Sequence, residues 1–397
     1  MGAELIIKNK EYIAMIHTFQ TIPRIVSGKG ALQKIGEEMR NLGAAHAFIV
    51  TSAGLVQREN HAPLVASLER QGITITLFTR NSTEPSPSDV EECAAAARSC
   101  QADLIIGLGG GSILDCAKAA AILTRHSGPI EKYVGVGLVP GPCMPVILVP
   151  TTAGTGSEVT SIAVLEDTQS NAKKAIVSDH IYAKVAVLDP ELTRSMPPHI
   201  TATTGMDAFV HAMESYVNRT ASPITDGLNL QAMRCIAENL RMVCAEGHNL
   251  AARENMLYAS ALAGMGFSNT QNGVIHAIAM AVPAAHRLPH GLLVAAIAPM
   301  GMIFNCQAAP EKYAHIAEIL GCDPQGKTIL ECALQAVYAV KCLLADVGIE
   351  PGLAAHGIER SELRGIAERA AAAKRLMNNN PRQGTAEDLE ALLIEYF

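Results

Sequence analysis

Charge is scarce in this chain. Asp, Glu, Lys and Arg make up 17% of its 397 residues, against 49% hydrophobic residues. Disorder needs the opposite balance, so a sizeable core is expected, in two domains or one large one. Net charge is −7 and no basic stripe is visible, which argues against nucleic acid and anionic membrane surfaces as partners. No uncharged apolar run reaches the ~18 residues of a membrane span. The segment from Val274 to Ala285 is apolar, but it is too short and carries His276. The start lacks a secretory signal, because Glu4, Lys8, Lys10 and Glu11 interrupt its short apolar pairs. Ten cysteines show no CxxC spacing; Cys93, Cys116, Cys143, Cys235, Cys244 and the rest are scattered through apolar segments. Reduced core thiols in a cytoplasmic protein without disulfides are the expectation.

What is present is alternation. Strand-like runs at 47–50, 73–79 and 104–108 are interleaved with helical patterns at 31–42, 64–71 and 88–100, after a short extended start. Further strands are expected at 145–149, 162–165 and 183–188. This order predicts a parallel sheet with helices on both faces. The pattern changes at Asp189-Pro190 and again at Met196-Pro197-Pro198. Helical segments then take over at 202–217, 223–244, 251–266, 273–282, 310–320, 327–346 and 361–373, with a last one from Thr385. The predicted fold class is α/β followed by all-α, with an α/β domain over 1–190 and a helical domain over 191–397.

Two glycine loops stand at strand ends. Gly107-Leu108-Gly109-Gly110-Gly111-Ser112 follows the 104–108 strand, and a helix is predicted from Ile113 to Leu123. Consecutive glycines allow close approach of the backbone, and the helix start aims free N–H groups at the same point. Such a turn suits a pyrophosphate, but also reads as a plain tight turn. It departs from the strict dinucleotide fingerprint at Ser112, and no Walker lysine follows. Asp115 and Lys118 on the first turns favour a functional reading. The second loop, Pro150-Thr151-Thr152-Ala153-Gly154-Thr155-Gly156-Ser157-Glu158, places hydroxyls after the next strand, where a shared ligand crevice is expected.

The helical half carries the polar groups of interest. Asp207 and His211 lie four apart in an apolar run behind Gly205, which is read as a breaker. They leave one helical face and need a partner there, because unpaired burial costs several kcal/mol. A hydrogen-bonded core pair satisfies that need. So does half of a metal site. His276 and His290, both in apolar, glycine-flanked settings, extend the pair to three imidazoles and a carboxylate. That set suits a divalent first-row metal with a position left open for substrate.

Gly109-Gly110-Gly111-Ser112 with Asp115 and Lys118, Pro150 to Glu158, Gly205-Met206-Asp207 with His211, and Pro289-His290-Gly291 together resemble the signatures of the iron-containing (group III) alcohol dehydrogenases. The resemblance runs from about residue 18 to the C-terminus and includes Asn380-Pro381-Arg382. It implies a dehydroquinate synthase-like fold, in which a dinucleotide-binding domain and a helical metal domain flank a cleft. The metal ligands it implies are Asp207, His211, His276 and His290. The cofactor contacts it implies are Gly110, Gly111, Ser112, Thr151, Thr152 and Lys174, with Leu188 near the ring. Gly109, Asp115 and Thr155 sit in the same two loops and are expected at the cofactor. Iron is the implied metal, with zinc suited to the same donors, and NAD(H) or NADP(H) the implied cofactor. Dimers or larger assemblies are also implied, with the N-terminal strand helping the interface.

Three departures matter. A second histidine usual in the family is replaced by Met280, which puts a proton relay in doubt and makes His286 a candidate stand-in. Ser52 stands where NAD-preferring relatives carry an acid, so repulsion of a 2′-phosphate is absent and NADP(H) is expected to be tolerated. Ser86 replaces a usual asparagine. Arg287 is a candidate for a cleft cation that would favour an aldehyde with a carboxylate or sulfonate tail. The expected reaction is reversible hydride transfer between nicotinamide and a small aldehyde or alcohol. Ethanol, propanediols, lactaldehyde, butanal and sulfonated aldehydes all stay open. The competing readings are a zinc glycerol dehydrogenase, a synthase without net redox, and a non-catalytic dinucleotide-binding protein.

Overall fold

The computed structural model describes residues 16–80, 85–167 and 172–397. Among the described residues, the N-terminal half holds nine strands: β1 (Ile25–Ser27), β2 (His46–Ser52), β3 (Thr74–Arg80), β4 (Leu104–Gly109), β5 (Gly135–Val136), β6 (Val146–Pro150), β7 (Ile162–Asp167), β8 (Ala172–Val177) and β9 (Val185–Leu188). Six of them form a parallel sheet in the order β1-β9-β6-β4-β2-β3. Residues of β4, β6 and β9 are buried throughout, as expected for strands covered on both faces. The chain runs outward from β2 to β3, then returns past β2 to β4 and continues to β6 and β9. Strand order therefore reverses between β2 and β4, which opens a crevice at their carboxyl ends.

The strand expected at 162–165 is present, but outside this sheet. β7 pairs antiparallel with β8, and β5 adds on the other side. Only four residues separate β7 from β8. A parallel crossover needs a dozen or more, so a hairpin is the only connection available. The extended start falls partly in residues 1–15, outside the described residues, as does most of the N-terminal segment implied in assembly.

Beyond Leu188 the main helices are Pro198–Val217, Pro223–Ala245, Leu250–Thr270, Val274–Ala281, His290–Cys306, Pro310–Ile319, Ile329–Asp346, Leu363–Ala372 and Ala386–Glu395. Two expectations need correction. Gly205 does not break the chain: the helix begins at Pro198 and passes straight through it. A Cβ at Gly205 would run into Leu240 and lie 2.9 Å from Met256 Cε, so the glycine lets two neighbouring helices approach. The helix His290–Cys306 was absent from the expected segments, and it carries Gly291, Pro299 and Gly301 within it. Each glycine marks a close crossing. A Cβ on Gly291 would sit 2.7 Å from the Thr203 carbonyl oxygen, and one on Gly301 would meet Ile275.

Every residue from Gly205 to Val217 is buried. This helix is the axis of the C-terminal core rather than an amphipathic cover. The Leu250–Thr270 helix joins the two halves. Ala259 and Ala263 pack in the helical core, whereas Ala261 packs in the core of the sheet. Gly264 on the same helix lies so near the second glycine loop that an added Cβ would be 3.0 Å from Gly156 Cα. The loop after β6 is thus held against the helix that carries Phe267. No helix among the described residues is long and apolar enough to cross a membrane.

Candidate metal and cofactor site

The sheet's carboxyl edge builds one wall. β4 ends at Gly109, and the helix Gly111–Leu123 starts two residues later. Its N-cap, Gly110, is extended and has no capping side chain, so the first N–H groups stay open. A Cβ on Gly111 would sit 2.7 Å from Thr155 Cγ2, and one on Gly110 would be 3.4 Å from Thr152 Cγ2. The two glycine loops therefore face each other, and only glycine fits at Gly111. Gly111, Ser112, Asp115 and Thr155 line a cavity of about 900 Å³. Thr151 follows β6, where its N–H donates to the Gly109 carbonyl at 2.9 Å.

Some expected contacts are placed otherwise. Asp115 lines the cavity but is fully engaged. It accepts from Ser157 Oγ at 2.6 Å and from the Val164 N–H at 3.0 Å, and pairs with Lys118 Nζ at 3.1 Å. Lys118 is buried and donates to the Ser157 carbonyl at 2.9 Å; burial pushes its pKa down, against the pull of Asp115. These two residues brace the turn against β7. Ser52, at the end of β2, caps the short helix Ala53–Gln57 by accepting from the Leu55 N–H at 3.3 Å. Ser86 caps the helix Pro87–Ser99 in the same way, in a capping box with Asp89. Leu188 is buried within β9 and is not on the cavity wall. Lys174 is exposed, and its neighbour Lys173 lines the cavity instead. Alternation along β8 sends the two lysines to opposite faces.

The opposite wall carries the imidazoles. Asp207 and His211 project from Pro198–Val217, His276 from Val274–Ala281, and His290 from the first position of His290–Cys306. The Nε2 atoms of His211, His276 and His290 lie 3.9, 3.8 and 4.0 Å from one oxygen, Asp207 Oδ1. These separations are too long for hydrogen bonds. They suit four donors around one ion about 2 Å from each. The chemistry agrees: Asp207 Oδ1 and His276 Nε2 are buried polar atoms without a partner. Such atoms are costly unless something joins them. Asp207, His276 and His290 bring their donor atoms within 4.8 Å of one another and fit a divalent cation, with His211 beside the same carboxylate oxygen.

The protonation states also suit it. Burial pulls His211 down to about 4, against the opposing pull of Asp207. Burial lowers His290 as well. Burial pushes Asp207 upward, but the neighbouring imidazoles more than reverse this and hold it ionised. His276 behaves differently. Burial draws it down, yet the neighbouring carboxylates of Asp207 and Glu214 win and raise it to about 9. Two imidazoles thus present lone pairs at neutral pH, and the third must lose a proton when a cation enters.

Glu214 was missed by sequence reasoning. It lies seven residues after Asp207 and three after His211, on the same helical face, and that spacing was the available signal. Its Oε2 receives His276 Nδ1 at 2.6 Å and the Gly273 N–H at 3.0 Å, and its Oε1 receives the Ile275 N–H at 2.6 Å. This carboxylate fixes the ring and aims Nε2 at the cluster. Asn380 does related work. Its side-chain oxygen receives the Val274 N–H at 3.0 Å, which pins the start of the His276 helix. Phe267 stacks on His211 with ring centroids 4.3 Å apart.

Met280 lines the cavity, whereas His286 does not. His286 Nε2 lies 2.8 Å from Glu362 Oε1, and this pair turns the ring away. The expected stand-in role for His286 is therefore withdrawn. Arg287 does line the cavity.

Sequence profiles now add their weight. That of the iron-containing alcohol dehydrogenases matches residues 23–190, and that of the Fe-containing alcohol dehydrogenase family, C-terminal, matches 201–397. The chain belongs to the iron-containing alcohol dehydrogenases. It is similar to the sulfoacetaldehyde reductase of Bilophila wadsworthia (strain 3_1_6), with 48% identity over 97% of this chain and 100% of that protein. It is 38% identical to the 1,3-propanediol dehydrogenase of Klebsiella pneumoniae, over 93% of this chain and 96% of the other. Among solved structures, a 1,3-propanediol oxidoreductase superposes with TM-score 0.94 at 36% identity, covering 96% of this chain and 100% of that one. The sulfoacetaldehyde reductase from Bifidobacterium kashiwanohense in complex with NAD+ gives 0.88 at 30% identity, over 96% and 99%. This iron-containing alcohol dehydrogenase is thus an oxidoreductase acting on CH–OH groups, with a nicotinamide dinucleotide as cofactor.

Proposed function

We propose that this iron-containing alcohol dehydrogenase reduces a small aldehyde bearing a sulfonate tail, with sulfoacetaldehyde as the best-supported substrate. The observation that carries this reading is the full-length, 48% identity to a sulfoacetaldehyde reductase. The exposed cation Arg287 on the cavity wall supports it. The reaction converts R–CHO, NAD(P)H and a proton into R–CH2OH and NAD(P)+. The enzyme works in the cytoplasm as a homodimer or larger assembly.

Asp207, His211, His276 and His290 hold the divalent ion. Once bound, the ion supplies Lewis acidity to the carbonyl oxygen and the nicotinamide supplies the hydride. Glu214 keeps the His276 ring aimed. The open N–H groups at Gly111 and Ser112, with Thr151, Thr152 and Thr155 across from them, hold the pyrophosphate against a helix N-terminus. Ser52 lies at the far side of the strand-order reversal, where the adenosine ribose is read. Phe267, Met280 and Leu293 form an apolar wall that excludes water from the reacting atoms. Among the described residues, the three imidazoles of the cluster are the only ones on the cavity wall. The proton that completes the alcohol therefore comes from water or a cofactor hydroxyl.

An aldehyde panel with NADH and NADPH, run after reconstitution with Fe²⁺ or Zn²⁺, tests the proposal. Sulfoacetaldehyde should give the highest kcat/KM. A clear preference for 3-hydroxypropanal or another neutral aldehyde would overturn the sulfonate reading. Sedimentation of the purified protein as a monomer would overturn the assembly.

A further inference from the structure

Within that reading, the sulfonate needs a receptor on the cavity wall, and Arg287 is an incomplete one. It is exposed and sits in a left-handed turn with φ 52°. Deeper in the wall lies Arg375, on the short helix Lys374–Met377 that precedes Asn380. It is half-buried, and among the described residues it forms no ion pair with a carboxylate. One of its guanidinium nitrogens is spent on Gln271 Oε1. A guanidinium carries five N–H donors, so most of its capacity is unspent. Leaving a partly buried cation without an anion is costly, and its pKa is pushed down by burial.

The residues beside it point the same way. Gln271 holds φ 70° and ψ 173°, a conformation that side chains other than glycine rarely adopt. It is locked there by its N–H to the Phe267 carbonyl at 2.7 Å and by Asn218 Nδ2 donating to its carbonyl at 3.1 Å. The strain sits between Phe267, which stacks on His211, and the segment leading into the His276 helix. Asn272, next in the chain, also lines the cavity; it is 8% exposed, and its side-chain oxygen has no partner. Rotation of its amide can present either oxygen or nitrogen to the same place. A buried amide without a partner and a cation without an anion thus share one wall.

We infer that Arg375, oriented by Gln271 and joined by Asn272, is the receptor for the anionic tail of the substrate. A sulfonate presents three acceptor oxygens, which a planar guanidinium and an amide can meet together. The aldehyde end would then reach toward the imidazole cluster in the same cavity. This residue is a specificity determinant, since it touches the tail and not the reacting carbon.

The test compares Arg375→Met, Arg375→Lys and Arg287→Met with the parent enzyme, using sulfoacetaldehyde and propanal. For Arg375→Met, the ratio of kcat/KM for sulfoacetaldehyde to that for propanal should fall by about 10–100-fold, the worth of charge-assisted hydrogen bonds. The loss should appear mainly in KM for the sulfonate. Arg375→Lys should lose less, and Arg287→Met should move the ratio least. Calorimetric binding of isethionate, the alcohol product, should weaken in parallel. If the parent enzyme shows no preference for sulfoacetaldehyde, the substrate reading fails and the receptor fails with it. If the parent shows the preference but Arg375→Met and Arg375→Lys keep both the ratio and isethionate affinity, only the assignment of Arg375 is overturned. Should Arg375→Met not fold, the lysine variant alone decides between these results.

Discussion

Glu214→Gln separates two effects of one carboxylate on metal binding. Glu214 receives three hydrogen bonds, at 3.0, 2.6 and 2.6 Å, and one of them comes from His276. A glutamine keeps the volume and one acceptor oxygen, but turns an NH2 group toward the donors. Losing the outer carboxylate should weaken metal binding about 10–100-fold, or roughly 1.4–2.7 kcal/mol. The same carboxylate also helps hold His276 up at about 9, although burial alone would lower it. At pH 7 the parent protein must therefore expel a proton from His276 before a cation binds, at about 3 kcal/mol for two decades of competition. The variant escapes the part of that cost that Glu214 imposes. The two effects oppose each other at pH 7, so a measurement there alone does not separate them. Above pH 9 the proton competition disappears and only the weaker grip remains. Zn²⁺ affinity by chelator competition, measured from pH 6.5 to 9.5, should rise about tenfold per pH unit up to pH 9 in the parent. In the variant the rise should end at a lower pH, since Asp207 alone then holds the proton on His276, and affinity should be about 10–100-fold weaker at the alkaline end. Identical slopes and affinities in the two proteins would show that Glu214 neither holds His276 nor sets its protonation.

Other outcomes follow from the same geometry. Asp207→Ala or His276→Ala should abolish turnover while NAD+ affinity by fluorescence titration changes less than about threefold, since the dinucleotide rests on the other wall; normal turnover in either variant would remove the metal assignment. The parent should use NADPH with a kcat/KM less than a thousandfold below that with NADH. Ser52→Asp should widen any NADH preference at least tenfold, because a carboxylate repels a 2′-phosphate by roughly 1–4 kcal/mol; an unchanged cofactor ratio would place Ser52 away from the ribose. Glu158 is buried, has an unpartnered oxygen, and is raised by burial to about 7. Between pH 4.5 and 7 the folded state thus holds a proton that the unfolded state has lost, and stability falls as pH rises through that window. Glu158→Gln should therefore raise Tm at pH 8, by an amount equivalent to at most about 3 kcal/mol, and have little effect at pH 4.5. Equal Tm differences at both pH values would contradict this.

The second glycine loop shows where sequence reading stops. Gly156 and Gly264 are 108 residues apart in the chain, yet their backbones touch, and nothing in either local pattern announces it. Gly205, Gly291 and Gly301 carry the same lesson. Each looks like a break when only its neighbours in the chain are considered. Each serves instead to admit another helix, so a whole helix, His290–Cys306, was hidden behind its own packing residues. The strand at 162–165 was expected in the parallel sheet and pairs instead with β8, for which no strand was expected, because pairing partners are chosen by connection length as well as by strand propensity.

By itself the sequence determined what depends on period and local chemistry: alternating strands and helices, a phosphate-sized turn after β4, and Asp207 and His211 on one helical face. Backbone periodicity makes these relations between near neighbours, and they are readable before folding. The tertiary structure alone decided which distant groups meet. Only packing brings three Nε2 atoms around one Asp207 oxygen, sets Glu214 behind His276, turns His286 to Glu362 and puts Arg375 beside Gln271. Those distances come from how the helices cross, and crossing depends on volume filled from many parts of the chain at once.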